Sequence, residues 1–494
     1  MLSRHIDPDE IIETCKEHPH RKHASRDGRQ GHVQSWRRDE DASAAAYQLL
    51  HDETALDGNP LLNLASFQEA DKLIMENMNK NLVGDLWHAP KEGKVIGTAT
   101  AGSSEAIMLG GLAMKKRWQE GRKAAGKDYF HPNIVFGSNA QVALEKFARY
   151  FDVETRLVPV KESNGFVMDP NDAIQYVDEN TIGIIVIFGS TYTGHFEDVA
   201  LMSKLLDDLQ QRTGLDIPIH VDGASGAFIA PFAYPQLKWD FKVPRVVSIN
   251  TSGHKFGLTY AGLGWVLWRD ESYLHKDLVF ELHYLGSVEY TFTLNFSKPA
   301  APVIAQMFNF LNLGFDGYRK IAWKDLRNAR MLSKALESTY FTVLSHPSNN
   351  AKGKNQHENN DDPEHYMAGV PVVAFRLNDK YKEENPSVQQ QWIATMLRTK
   401  GWIIPNYNAP QGAEDVEILR VVVRETLSED LMERLIIDIL GVTEALAGPN
   451  HAFSGDAGQP KGITHPDHDH ARPVKDNFDG LGEALEQLGF SSQC

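Results

Sequence analysis

Between residues 132 and 268 the chain repeatedly sets a short, almost wholly apolar run beside a stretch of helical periodicity. The runs are PNIVFG, IGIIVIFG, DIPIHVDG, RVVSIN and GWVLW, and NAQVALEKFARYF and DVALMSKLLDDLQQRTG are two of the helical stretches. A strand with one face in water alternates apolar and polar residues. These runs do not alternate, so both of their faces must be covered. Strands buried on both sides and interspersed with helices imply a largely parallel sheet with helices packed against it, an α/β fold.

The flanks of this region read differently. Residues 1–60 are polar and rich in His and Arg, with one alanine-rich helical stretch at Ala42–Leu50, and read as an N-terminal arm. The large α/β unit is expected over 61–325. A smaller C-terminal α/β unit follows over 326–447, with strands in VPVVAFRL and VEILRVVV. Residues 345–365 form a polar insertion, expected to be a mobile surface loop. The stretch 448–494, rich in Gly, Pro, Asp and His, reads as a flexible tail. The formal charge of −16 argues against a nucleic-acid surface. The two cysteines, Cys15 and Cys494, support no disulfide framework. No apolar stretch has signal-peptide or membrane-spanning length, so the expected location is cytoplasmic.

Three local features could carry chemistry. In NTSGHKFG, Lys255 lies between two apolar runs, RVVSIN and GLGWVLW. A charged ammonium is costly to bury there, whereas a desolvated, uncharged amine can condense with a carbonyl compound. In IHVDGASGAF, Asp222 ends an apolar strand and is followed by small residues that leave room for a flat ring. Such a carboxylate suits a pyridine nitrogen that must stay protonated, though an Asp here could equally cap the next turn. In TAGSSEAIMLGG, Ser103 and Ser104 precede an apolar helix expected to begin near Glu105, and its start would hold a phosphate. Singly these are ordinary features; together in one α/β unit they point to pyridoxal phosphate.

The chain resembles the glutamate decarboxylase family, pyridoxal-phosphate enzymes of the aspartate-aminotransferase fold (type I), in its plant, fungal and bacterial branch. The stretches that carry the resemblance include LDGNPLLNLASF, LWHAP, GSSEAIMLGGLAMKKRW, GSTYTGHFED, HVDGASGAFIAPF, SGHKFGL, NFSKPA and LRVVVRE. The resemblance implies decarboxylation of L-glutamate to 4-aminobutyrate. It places the cofactor-bearing lysine at Lys255 and the ring-nitrogen carboxylate at Asp222. The phosphate contacts fall on Ser103, Ser104 and His254, with Ser297 from a partner subunit. Gln141 and Ala224 flank the ring, and Thr191 lies near it. Arg420 would take the substrate α-carboxylate, Ser66 and Phe67 its distal carboxylate, and Tyr284 a catalytic place on a closing loop. At least a homodimer is implied, with a hexamer as the larger assembly.

The sequence departs from the family between LASF and LWHAP. A long segment there has contracted to residues 68–85, and Asn81 stands where the family has the asparagine of an Asn-x-x-Asp motif. The aspartate of that motif has no counterpart. Two other readings therefore stand beside the first: a related decarboxylase or lyase acting on another substrate, and a cofactor-binding subunit with little turnover. The histidines of HPDHDH (His465, His468, His470) lack a second ligand set, so no metal site is expected. Beyond 448 only Lys461, Arg472 and Lys475 are basic, so no calmodulin-binding helix is expected.

Overall fold

The structure is a computed structural model and describes residues 76–91, 94–282, 289–351 and 361–447. The stretch 448–494 lies outside the described residues, as does the arm 1–60.

Seven strands form the larger sheet: β1 (Ile96–Thr100), β2 (Asn133–Gly137), β3 (Glu154–Val158), β4 (Thr181–Ile187), β5 (Ile219–Asp222), β6 (Val246–Ser252) and β7 (Gly264–Trp268). Their order is β1-β7-β6-β5-β4-β2-β3. The pairs from β6 to β3 are all parallel. Helices make this arrangement reachable: α1 (Ser103–Ala124), α2 (Val142–Tyr150) and α3 (Val199–Thr213) each return the chain across the sheet before the next strand. β7 departs from the parallel pattern and pairs antiparallel with both neighbours. Only 253–263 separates it from β6, with no helix between, so the chain turns back instead of crossing over. Every residue of β2, β4, β5, β6 and β7 is buried. Each Val or Ile covered in this way contributes ~1.5–3 kcal/mol.

Two short strands, β8 (Phe280–Leu282) and β9 (Glu289–Thr291), pair antiparallel. The second sheet is antiparallel throughout, β10 (Phe341–Val343), β11 (Val372–Leu377), β13 (Glu417–Val422) and β12 (Asn406–Asn408) in that order. The three-residue strands β10 and β12 are too short to stand out in the sequence. α4 (Ala301–Glu337), α5 (Gln390–Thr399) and α6 (Glu429–Ala447) supply Leu332, Leu336, Ile393, Leu397, Leu435 and Ile439 to its core. α4 is broken at Gly314, whose φ of 58° with ψ of −173° is not helical. Its first half gives Val303, Met307 and Phe310 to the core of the large sheet.

The helical stretch 76–86 packs on that same core through Val83 and Leu86, with Trp87 following. The described ends of the polar insertion are tied down rather than loose: the Ala351 amide donates to His365 O at 2.9 Å, and His195 Nε2 lies 2.7 Å from the Ser345 carbonyl. No described helix is long and apolar enough to cross a membrane.

Candidate active site

Asp222 is the last residue of β5 and is 3% exposed. Its Oδ1 accepts from the Ala224 amide at 3.1 Å and from Asn250 Nδ2 at 2.9 Å. Oδ2 takes part in neither bond. The small residues after it are required by space: a Cβ on Gly223 would meet Ala227 Cβ at 2.6 Å and Asn250 O at 3.0 Å. Ala224 is buried and its carbonyl accepts from the Ser252 amide at 3.3 Å, so β5 and β6 end together.

Lys255 lies on the turn between β6 and β7, where the tight packing of Gly253 and Gly257 sets the path. A Cβ on Gly257 would stand 2.5 Å from Gly253 O. Lys255 Nζ donates to Ser225 Oγ at 3.2 Å, so the lysine reaches back over the loop that follows Asp222. Burial pushes its amine below the ordinary range, the Asp222 carboxylate opposes that shift, and the Arg420 charge adds to it. The Arg424 guanidinium donates to the Lys255 carbonyl at 3.3 Å and fixes the backbone.

Arg420 comes from the other sheet, on β13. Its Nη1 donates to Thr191 O at 2.6 Å, while Nε is buried and has no hydrogen-bond partner among the described residues. Its Cζ stands 5.6 Å from the Tyr407 ring centroid. A guanidinium held at one nitrogen and unpaired at another is suited to a carboxylate. Thr191 Oγ1 accepts from Gln141 Nε2, which turns the Gln141 side chain away from the helix α2 that it precedes.

Ser103 and Ser104 are the first two residues of α1, which begins two residues earlier than the sequence pattern places it, with Gly102 as N-cap. The carboxylate of Glu105 reaches back to this start. Oε2 accepts from the Ala101 amide at 2.7 Å and so organises the turn before the helix. The turn lies tightly on β7: a Cβ on Gly264 would meet Gly102 C at 2.4 Å and Ser103 N at 2.7 Å. His254 completes this corner, its Cε1 3.7 Å from where a Gly102 Cβ would stand and its Nδ1 3.1 Å from Leu263 O. That contact makes Nδ1 the donor and leaves Nε2 for a ligand. Ser297 is exposed on a segment anchored to the same Glu105, whose Oε1 accepts from the amides of Leu294 at 3.0 Å and Asn295 at 3.2 Å.

The structure therefore brings Lys255, Asp222, Ala224, Thr191, Gln141 and Arg420 into linked positions, with Ser103, Ser104 and His254 at one corner. Asn81 is half-buried on the stretch 76–86. Ser66, Phe67 and Tyr284 lie outside the described residues. The residues fit pyridoxal phosphate: a partly desolvated amine, a carboxylate oxygen engaged by neither N–H donor, small residues beside it, and a helix start of 22 residues for the phosphate. Sequence reasoning missed Ser225, Asn250 and the Thr191 carbonyl. Asn250 carried no local signal, because its meeting with Asp222 depends on the register of β6 against β5. Among the described residues no group of three or more His, Cys, Asp or Glu could hold a metal ion.

Residues 67–349 match the family profile described as "Pyridoxal-dependent decarboxylase conserved domain". A glutamate decarboxylase of Saccharomyces cerevisiae is 48% identical, covering 81% of this chain and 77% of its own. Glutamate decarboxylase 3 of Arabidopsis thaliana is 47% identical, covering 81% of each chain. The solved structure of a Lactobacillus brevis glutamate decarboxylase superimposes with a TM-score of 0.71 at 33% identity, over 92% of this chain and 96% of that one. A Burkholderia pseudomallei sphingosine-1-phosphate lyase, at 19% identity and a TM-score of 0.61, shares the fold.

Proposed function

The chain belongs to the pyridoxal-dependent decarboxylase family, and from that premise we propose that it removes the α-carboxyl group of L-glutamate to give 4-aminobutyrate and CO2. The observation that carries the reading is the position of Lys255, whose Nζ stands 3.2 Å from Ser225 Oγ on the loop after Asp222. Burial and the Arg420 charge both lower the proton affinity of that amine.

When bound, pyridoxal phosphate supplies an aldehyde for the lysine amine and a ring that takes up the electron pair left by CO2. Lys255 presents Nζ, whose charged form burial disfavours. Arg420 grips the α-carboxylate through its guanidinium while Nη1 stays on Thr191 O, which fixes the direction of the bond to be broken. Asp222 holds a proton at the ring nitrogen. Ser103, Ser104 and His254 take the phosphate, and Gln141 and Ala224 hold the ring between them. Ser66 and Phe67 receive the distal carboxylate, and Tyr284 delivers a proton to Cα. Ser297 completes the phosphate site of a second subunit, so the working form is at least a homodimer, with a hexamer as the larger assembly. The regions 61–325 and 326–447 act as the cofactor-binding and C-terminal domains of a cytoplasmic enzyme.

A second reading, a subunit that binds the cofactor but turns over slowly, is favoured by one observation. The stretch 76–86 is built into its own core: Asn79 Nδ2 donates to Val303 O at 2.8 Å, and Val83 and Leu86 are fully buried. Asn81 thus belongs to a packed helical stretch that lacks the family's aspartate. Each hydrogen bond missing around a substrate carboxylate costs ~1–3 kcal/mol. The test is CO2 release from L-glutamate and from L-aspartate, by this chain and by a form with the family's longer segment restored. Both forms are expected to prefer glutamate, with kcat/KM at least ~10-fold lower in the shorter one. Absence of CO2 release from glutamate by either form would refute the proposal.

A further inference from the structure

Beneath Asp222 lies a buried polar chain that touches no solvent. His220 is two residues before Asp222 on β5, so the two side chains share a face of the sheet. Across on β6, Ser248 is in register with His220, and Asn250 with Asp222. His220, Ser248 and Asn250 are all 0% exposed. His220 Nδ1 lies 2.7 Å from Ser248 Oγ, His220 Nε2 lies 2.7 Å from Asn250 Oδ1, and Asn250 Nδ2 donates to Asp222 Oδ1 at 2.9 Å.

The donor roles follow from the last link. A carboxylate only accepts, so Asn250 must turn its NH2 toward Asp222 and its Oδ1 toward His220. Oδ1 only accepts, so the proton on His220 must be at Nε2. Burial holds the imidazole neutral, the Asn250 bond and the Asp222 charge opposing that effect. A neutral ring has one N–H, so Nδ1 accepts from the Ser248 hydroxyl. The chain of donation therefore runs one way, from Ser248 through His220 and Asn250 to Asp222. The opposite side of the imidazole is closed by α1, where a Cβ on Gly110 would meet His220 Cε1 at 2.7 Å and Nδ1 at 2.8 Å. The ring is held in place by a hydrogen bond at each nitrogen.

We propose that His220 is a positioning residue: as its Nε2–H tautomer it locks the Asn250 amide, and through that amide it sets the Asp222 carboxylate toward the ring nitrogen of the cofactor. The inference rests on the reading of Asp222 as the partner of that nitrogen. Replacing His220 with an apolar residue would leave the buried Asn250 Oδ1 without its donor, so the amide is held at one end only and the Asp222 carboxylate loses its fixed direction.

The test is solid-state 15N NMR of the holoenzyme, with 15N in the histidines and in the ring nitrogen of pyridoxal phosphate. The unaltered enzyme is expected to show His220 protonated at Nε2 and bare at Nδ1. His220→Phe is expected to move the ring-nitrogen signal toward the unprotonated position and lower kcat ~10-fold or more with KM within ~3-fold. His220→Gln, whose amide N–H can still serve Asn250, is expected to keep the signal and most of kcat. A proton on Nδ1, or equal losses in the Gln and Phe variants, would overturn the proposal, as would a Phe variant with the ring signal of the parent. Should His220→Phe fail to fold, the tautomer and the Gln variant still decide. Asp222→Asn separates the premise from the inference: if it too leaves the ring nitrogen protonated, the reading of Asp222 fails; if it alone removes the proton, only the role of His220 fails.

Discussion

Arg420 on the four-stranded sheet donates to the carbonyl of Thr191, on the loop after β4 of the seven-stranded sheet, at 2.6 Å. Thr191 also accepts from Gln141 through its hydroxyl. One residue thus anchors both the proposed carboxylate-binding arginine and the glutamine proposed to pack on the cofactor.

Arg420→Ala is accordingly expected to raise KM for glutamate strongly and to lower kcat as well, because the scissile bond loses its orientation. A fall in kcat/KM of ~10²-fold or more is expected from steady-state CO2 release. Arg420→Lys keeps the charge but not the forked geometry, and should recover only part of the loss. A variant with altered kcat and unchanged KM would be at odds with carboxylate binding at this position.

Asp222→Asn should still take up pyridoxal phosphate, since the phosphate corner at Ser103, Ser104 and His254 is untouched. Its kcat should fall by ~10³-fold or more, because an unprotonated ring is a poor acceptor of the electron pair. Absorbance titration of the cofactor alongside CO2 release checks both halves.

The parts of this site that are legible in the sequence are those carried by local pattern. Lys255 stands out as a charge between two apolar runs, Asp222 as the end of an apolar strand before small residues, and Ser103 as a helix start. The rest depends on pairing between distant strands. That Asn250 meets Asp222 and Ser248 meets His220 follows from the register of β5 against β6, which neither strand specifies alone. The antiparallel course of β7 is hidden for a related reason: its composition is that of a buried strand in either direction, and only the short connection 253–263 decides. Glu105 reads as an ordinary first-turn acid, yet it ties Ala101, Leu294 and Asn295 to one carboxylate.

Glu197 supplies a prediction about pH. It accepts from the Ile187 amide at 2.7 Å, Asn139 Nδ2 at 3.0 Å and the Met168 amide at 3.1 Å. Burial nevertheless pushes its carboxyl from 4.5 up to about 7. Between those values the folded protein holds a proton that the unfolded chain has released, so stability must fall as pH rises through this window. The contribution is about 3 kcal/mol. Asp325, raised to about 7 by burial and the nearby Glu425 charge, adds to the same slope. Denaturant unfolding from about pH 4.5 to 7 should show a flatter pH dependence in Glu197→Gln than in the parent, whatever the offset between them. Parallel curves would show that Glu197 is ionised throughout.

Lys255 is the residue on which every other assignment depends. Its amine is partly desolvated, 3.2 Å from Ser225 Oγ, and under the influence of both Asp222 and Arg420. The most direct measurement is borohydride reduction of the protein loaded with pyridoxal phosphate, followed by peptide mass mapping. A pyridoxyl group on the peptide carrying Lys255, and none on any peptide of the Lys255→Ala variant, is the predicted result. A pyridoxyl group on another lysine, or no fixed cofactor at all, would contradict the account.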